Sequence, residues 1–256
     1  MTWRQRRRLI YISIFASIVI FIFVAYLLSL EKIVAQCANG VKDDNEEGID
    51  CGGPCVVCEI KNLKPLSVFR EVRVIVYPDK TVDLFAVVQN LNENLGLRTL
   101  KYQFLIFDQN NNLRLKTNMK TTSLSPLEVK WLSEINLSGI NFDIGKVKLY
   151  VEPPQDLDWF KDSPTSLPIV YQNQKVVFDN NNWQFSASFF NKAFSRIDDV
   201  EIIVFGFDLN QRLLAASKAL VSFKAEESKN ISLPFPQIET NQKIELVDVI
   251  VQKKSF

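Results

Sequence analysis

The stretch VDLFAVVQN at residues 82–90 returns as WQFSASFFN at residues 183–191, and LKYQFLIFDQNNNL at 100–113 returns as VEIIVFGFDLNQRL at 200–213. In both copies an alternating apolar run ends on Asn, a polar connection follows, and a second apolar run ends on Phe-Asp. Alternation with period two marks strands that turn one face inward. The landmarks keep their spacing: Phe107 lies 17 residues after Asn90, and Phe207 lies 16 after Asn191. Each half then closes on a similar run, KVKLYV at 146–151 and KIELVDV at 243–249. Repetition at about 100 residues is the duplication of a domain, because solenoid repeats run to only about 20–50. An all-β architecture of two tandem immunoglobulin-like sandwiches is expected, over residues 63–154 and 165–254.

Further strands are expected at 72–77, before a turn at Pro78-Asp79-Lys80, and at 131–137. Glu152-Pro153-Pro154 reads as the boundary of the first sandwich, since successive prolines cannot continue a ladder. In each repeated Phe-Asp pair the Phe is expected to fill the core and the Asp to hold a hairpin turn. Trp183, Phe185 and Phe189 alternate and suit a core face. Trp159-Phe160 falls among charged residues between the copies and is expected to wedge between them. The whole pattern is similar to bacterial immunoglobulin-like sandwiches of the FxLYD type and to the water-stress type of late-embryogenesis-abundant fold. That resemblance covers most of residues 63–254 and implies a fold rather than an activity.

Upstream, residues 9–30 form 22 positions without a charge, entered through Arg4, Arg6, Arg7 and Arg8 and left at Glu31-Lys32. A helix of that length reaches roughly 33 Å, enough for a ~30 Å hydrocarbon core. The arginines place residues 1–8 in the cytoplasm by the positive-inside rule and everything after the span outside, as a single-pass protein of the cell membrane. No small-residue cleavage pattern precedes Cys37, so the span is read as a retained anchor rather than a signal peptide.

All four cysteines, Cys37, Cys51, Cys55 and Cys58, fall in CANGVKDDNEEGIDCGGPCVVC at residues 37–58. A loop this polar has no core of its own, and outside the cytoplasm two disulfides are the expected staples, in any of three pairings. Zinc on the four cysteines is the competing use of the same residues. Between the first two cysteines, Asp43, Asp44, Asn45, Glu46 and Asp50 crowd hard oxygen ligands of the kind calcium takes, although EF-hand spacing is absent; a solvated acidic loop is the alternative. The stretch resembles a short cysteine module of prokaryotic surface and secreted proteins, C-x-[ND]-G-x-x-[DN]-x-x-E-x-G-x-D-C-G-G-x-C-x-x-C. The resemblance implies a cell-envelope protein and leaves its activity open.

Composition narrows the function. There is no histidine, which removes the commonest general base and zinc ligand together with the Ser-His-Asp and H-E-x-x-H constellations. A net charge of +1, much of it from the arginines before the span, offers no clustered basic face for nucleic acid. What remains is a non-catalytic, membrane-anchored ectodomain that binds or scaffolds a protein or glycan. The alternative is an accessory subunit of a larger membrane-bound secretion, pilus or envelope-enzyme assembly.

Overall fold

The computed structural model describes residues 3–43, 45–69, 71–179 and 182–254. They divide into two compact units, Met1–Leu63 and Lys64–Phe256. The first opens on helix α1, Trp3–Gln36. Its section Arg6–Leu27 is long and apolar enough to cross a membrane, and none of it is buried. A water-soluble helix would keep a polar face, whereas here Ile12, Phe15, Ile18, Phe21 and Phe23 are all exposed around the helix.

The second unit is built of strands. Its first half holds β1 (Ser67–Val68), β2 (Arg73–Val76), β3 (Val82–Gln89), β4 (Leu95–Asp108), β5 (Leu113–Lys116), β6 (Lys120–Leu124), β7 (Val129–Leu137), β8 (Ile144–Val151) and β9 (Trp159–Lys161). The second half holds β10 (Ile169–Asp179), β11 (Asn182–Asn191), β12 (Ile197–Phe207), β13 (Leu213–Phe223), β14 (Ser228–Pro234) and β15 (Leu246–Lys253). All ladders are antiparallel. Strand β3 pairs with β1, β2 and β7, and β4 with β5, β6, β8 and β9. In the second half β11 lies between β10 and β14, and β12 between β13 and β15. Each half thus has two β-sandwich-like sheets, and the repeated segments supply their organising strands, β3 with β11 and β4 with β12.

Correspondence extends to the hydrogen bonds. Asn90 and Asn191 are both fully buried. The Asn90 amide donates to the carbonyls of Leu95 and Ser125 at 2.7 and 3.0 Å, and the Asn191 amide to those of Ser195 and Lys224, both at 2.8 Å. Each therefore ties together the start of one strand or its approach and a turn 33 to 35 residues further on from the Asn, with the amide's own donors satisfied in the buried interior. The Phe-Asp carboxylates hold their turns as the sequence predicts. Asp108 Oδ1 accepts the N–H groups of Asn110 and Asn112 at 3.0 and 2.9 Å, and Asp208 Oδ1 those of Asn210 and Arg212 at 2.9 and 2.8 Å. The N–H of Asn112, foremost among these partners, holds the Asp108 carboxyl below the usual carboxylate range.

Two expectations are corrected. The chain passes Pro153-Pro154 and returns to the first half: β9 pairs Trp159 with Leu97 and Phe160 with Gly96. Trp159, 4% exposed, belongs to that half's buried set and is no wedge between copies. The prolines end one strand, yet leave the edge of β4 open to another. The last strand also begins later than the predicted 243–249, at Leu246, because Ile244 is spent burying itself against Gly206 of β12.

The halves are not separate bodies. A single cluster of buried side chains joins Ile75, Tyr77 and Phe85 of the first half to Phe185, Phe189, Ile203, Phe205 and Ala215 of the second. The ring of Phe205 meets Phe85 at 4.9 Å and Trp131 at 5.0 Å. Strands β3 and β12 are accordingly buried on both faces, since Leu84 with Phe85 and Val204 with Phe205 are all at or below 1% exposure. Strands so placed read as continuous apolar runs, which LFAVV and IIVFGF are.

Polar groups at this seam find partners across it. The hydroxyl of Tyr77 donates to Asp83 Oδ2 at 2.8 Å and accepts the N–H of Ala216 at 3.1 Å. Burial pushes the Asp83 carboxyl above the ordinary range, against the lowering pull of the Asn136 N–H, Tyr77 and Lys218. A carboxyl with a raised folded pKa binds its proton more tightly folded than unfolded, so its contribution falls as pH climbs from about 4, the unfolded value, through the raised value, and is level beyond. Asp83→Asn keeps the shape and removes this titration. The stability difference between wild type and Asp83→Asn should therefore move against wild type across that window; parallel profiles from denaturant titrations at pH 3.5 to 8 would refute the assignment.

Candidate functional site

The four cysteines are all bridged: Cys37 to Cys55, with Cα atoms 5.4 Å apart, and Cys51 to Cys58 at 4.9 Å. The two bridges interlace, since Cys51 lies inside the loop that Cys37 and Cys55 close. The Gly52-Gly53 pair that precedes Cys55 has a steric reason. Both residues have positive φ, 81° and 58°, and a Cβ on Gly53 would collide with the carbonyl oxygen of Asn45.

The acidic residues are turned toward the backbone of their own loop. Both carboxylate oxygens of Asp50 accept the N–H of Gly40 at 3.0 Å. Glu46, only 7% exposed, receives the N–H groups of Asp43 and Asp50 on one oxygen at 3.2 and 3.1 Å. Asp43 accepts the amide of Asn39 at 3.0 Å, and Asn45 is exposed. Asp44 lies outside the described residues. Carboxylates that accept backbone N–H groups shape a loop that forms few backbone bonds of its own, which is the role these geometries give Glu46 and Asp50. Calcium would have to use the lone pairs that remain. Among the described residues, the group whose ligand atoms lie within 4.8 Å of one another is Cys37, Glu46 and Cys55. Its two sulfurs are joined in the disulfide, so it presents a carboxylate and no thiolate to a metal.

Sequence reading missed the seam. On β15, Gln252 uses its side-chain amide as a piece of strand: Oε1 accepts the N–H of Trp131 at 2.9 Å, and Nε2 donates to the carbonyl of Trp131 at 2.8 Å and to Glu201 Oε2 at 2.6 Å. Lys218 reaches Ser133 Oγ at 2.9 Å and Glu201 at 3.0 Å. The guanidinium of Arg73 stands over the rings of Trp131 and Phe205, 4.6 and 4.9 Å from their centroids. A cleft of about 660 Å³ opens along this line between Tyr102, Lys120, Trp131 and Lys218. Two of its lysines are paired with carboxylates, Lys120 with Glu134 at 2.8 Å and Lys130 with Glu128 at 3.2 Å. Burial lowers the pKa of Lys130, as it must for a cation held away from water. These pairs, with Lys218 on Glu201, tie the side chains along the cleft to one another, and Lys218 on Ser133 ties them across the halves. Only alternation at Trp131 and the apolar run of β12 hinted at it; the Gln252 amide carried no sequence signal.

Compared with protein-family models and with curated proteins, the chain matches none.

Proposed function

We propose that this chain is a membrane-anchored, non-catalytic ectodomain of the cell envelope: α1 is its anchor, the bridged module its base, and two immunoglobulin-like sandwiches its displayed, partner-binding part. The observation that carries this reading is the pairing of all four cysteines directly after a helix long enough to span a bilayer. Disulfides persist in oxidising compartments, and the arginines before the apolar run favour the same direction of insertion. The parallel strand order and hydrogen bonds of the two halves support a duplicated sandwich that has fused into one arm. Such a fused arm suits holding a partner at a fixed place better than a flexible string of domains would.

Topology tests the reading. After mild reduction of intact cells, a membrane-impermeant thiol reagent should label the protein at two or more cysteines. Labelling only after lysis would place the module inside and overturn the proposal. Crosslinking in intact membranes followed by capture of the chain then identifies what the arm holds.

A further inference from the structure

The duplicated fold contains its own control experiment. In the hairpin of β2 and β3, Val76 faces Val82 as the last pair; in the hairpin of β10 and β11, one pair in from the last at Asp179 and Asn182, Phe178 faces Trp183, the repeat counterpart of Val82. At the aligned position of the first copy the facing residues are both aliphatic. In the second copy the pair is aromatic, with ring centroids 5.2 Å apart and planes tilted by 51°. Phe178 is 58% exposed, and Trp183 is half-buried. An exposed aromatic that the fold does not require is a feature of recognition surfaces.

Above these rings lies a cavity of about 650 Å³, within the ~300–1,000 Å³ usual for small-ligand sites. Its opposite wall is the connection between β14 and β15. That wall is fixed: Phe235, Ile238 and Ile244 are buried at 3%, 8% and 2% exposure, and the N–H groups of Phe235 and Glu245 donate to the carbonyls of Trp183 and Phe207, both at 2.8 Å. The polar side chains between those anchors line the cavity, Gln237, Glu239, Thr240 and Gln242 among them, with Asn182 on the hairpin side. Gln242 Nε2 donates to Glu239 Oε2 at 3.2 Å, which sets the amide beside the carboxylate as a joint donor and acceptor surface. Three amides and a hydroxyl are groups that both give and accept hydrogen bonds. The charges nearly balance, with Lys243 beside Glu239 and Glu245.

An apolar aromatic floor with a rim of neutral donor–acceptor groups matches one kind of molecule well. A pyranose ring has a face of C–H groups, electropositive toward the negative face of an aromatic ring, and an edge of hydroxyls that each need a donor and an acceptor. We propose that the mouth of the second half binds carbohydrate, a neutral pyranose unit stacking on Phe178 and Trp183 while Asn182, Gln237 and Gln242 take its hydroxyls. This deepens the reading of the chain as a binding ectodomain, and rests on it for access to envelope glycans.

The test uses the full chain in lipid nanodiscs and calorimetric titration with hexamers of β-1,4-linked glucose and of β-1,4-linked N-acetylglucosamine, and with tetramethylammonium. At least one saccharide should bind saturably. Phe178→Ala should weaken it at least tenfold, and Gln237→Ala, an exposed loop change that leaves the core intact, should weaken it severalfold. Val76→Ala, at the aligned position of the first copy, should leave binding unchanged. Absence of saturable binding by either saccharide overturns the proposal, as do equal losses with Phe178→Ala and Val76→Ala, or tetramethylammonium binding in place of sugar, which would make the rings a cation cage. Because topology is read separately by thiol labelling, a chain that labels from outside and ignores saccharides sinks only the carbohydrate assignment.

Discussion

Phe205→Ala will lower the stability of the Lys64–Phe256 unit by about 3–5 kcal/mol, the usual cost of removing a fully buried aromatic ring, and will do so for both halves together. Phe205 is at 0% exposure and packs against Phe85 and Trp131 of the other half. Its loss leaves a void shared by sheets of the two halves, and the Arg73 guanidinium loses one of the rings beneath it. Denaturant unfolding, followed with Trp131 and Trp159 in the first half and with Trp183 in the second through single-tryptophan variants, should show one transition shifted equally for every reporter. A variant in which only the Trp183 signal moves would mean that the halves unfold independently and that the shared cluster carries little energy.

Opening the Cys37–Cys55 bridge by the double change Cys37→Ser and Cys55→Ser should cost the module about 3 kcal/mol, the size expected for a loop of this length in the chain-entropy account. The loop has little apolar material to absorb that loss. Residues 37–58 should become readily cleaved by protease, while the second unit, with its own core, keeps its denaturation midpoint. If proteolysis of the module is unchanged, the carboxylate-to-backbone bonds of Glu46 and Asp50 hold it without the bridge.

How much of this was legible in the sequence depended on the range of the interaction. Strand β3 falls where alternation and the repeat place it, and the Asp108 and Asp208 turns follow from side chains bonding within four residues. The apolar run that became α1 needed only its length and lack of charge. Strand β4 begins at Leu95, five residues before the predicted 100, because Gly96 interrupts the apolar signal where Phe160 packs closely over it. Pairings decided by distant partners left weaker traces. Nothing local in Gln252 says that its amide will dock on the backbone of residue 131, and nothing in Tyr77 says that it will receive the N–H of a residue 139 positions away. The cysteine pairing was one of three until the fold of the loop chose it. Asn90 and Asn191 were visible as landmarks, but their role is to bind carbonyls of loops that only the folded sheets bring together.

The shared seam also changes how the chain would carry mechanical load. Under a pull applied at Lys64 and at the far end of the second half, tension must pass through both halves. In a string of beads that pull would run along the short connection between β9 and β10 and straighten it. Here the packed faces of β3 and β12, together with the bonds of Gln252 to Trp131 and of Tyr77 to Ala216, hold the halves to each other, and the connection stays slack until they part. Extension by force should then come in one large step rather than two smaller ones, and the two halves would lengthen together or not at all.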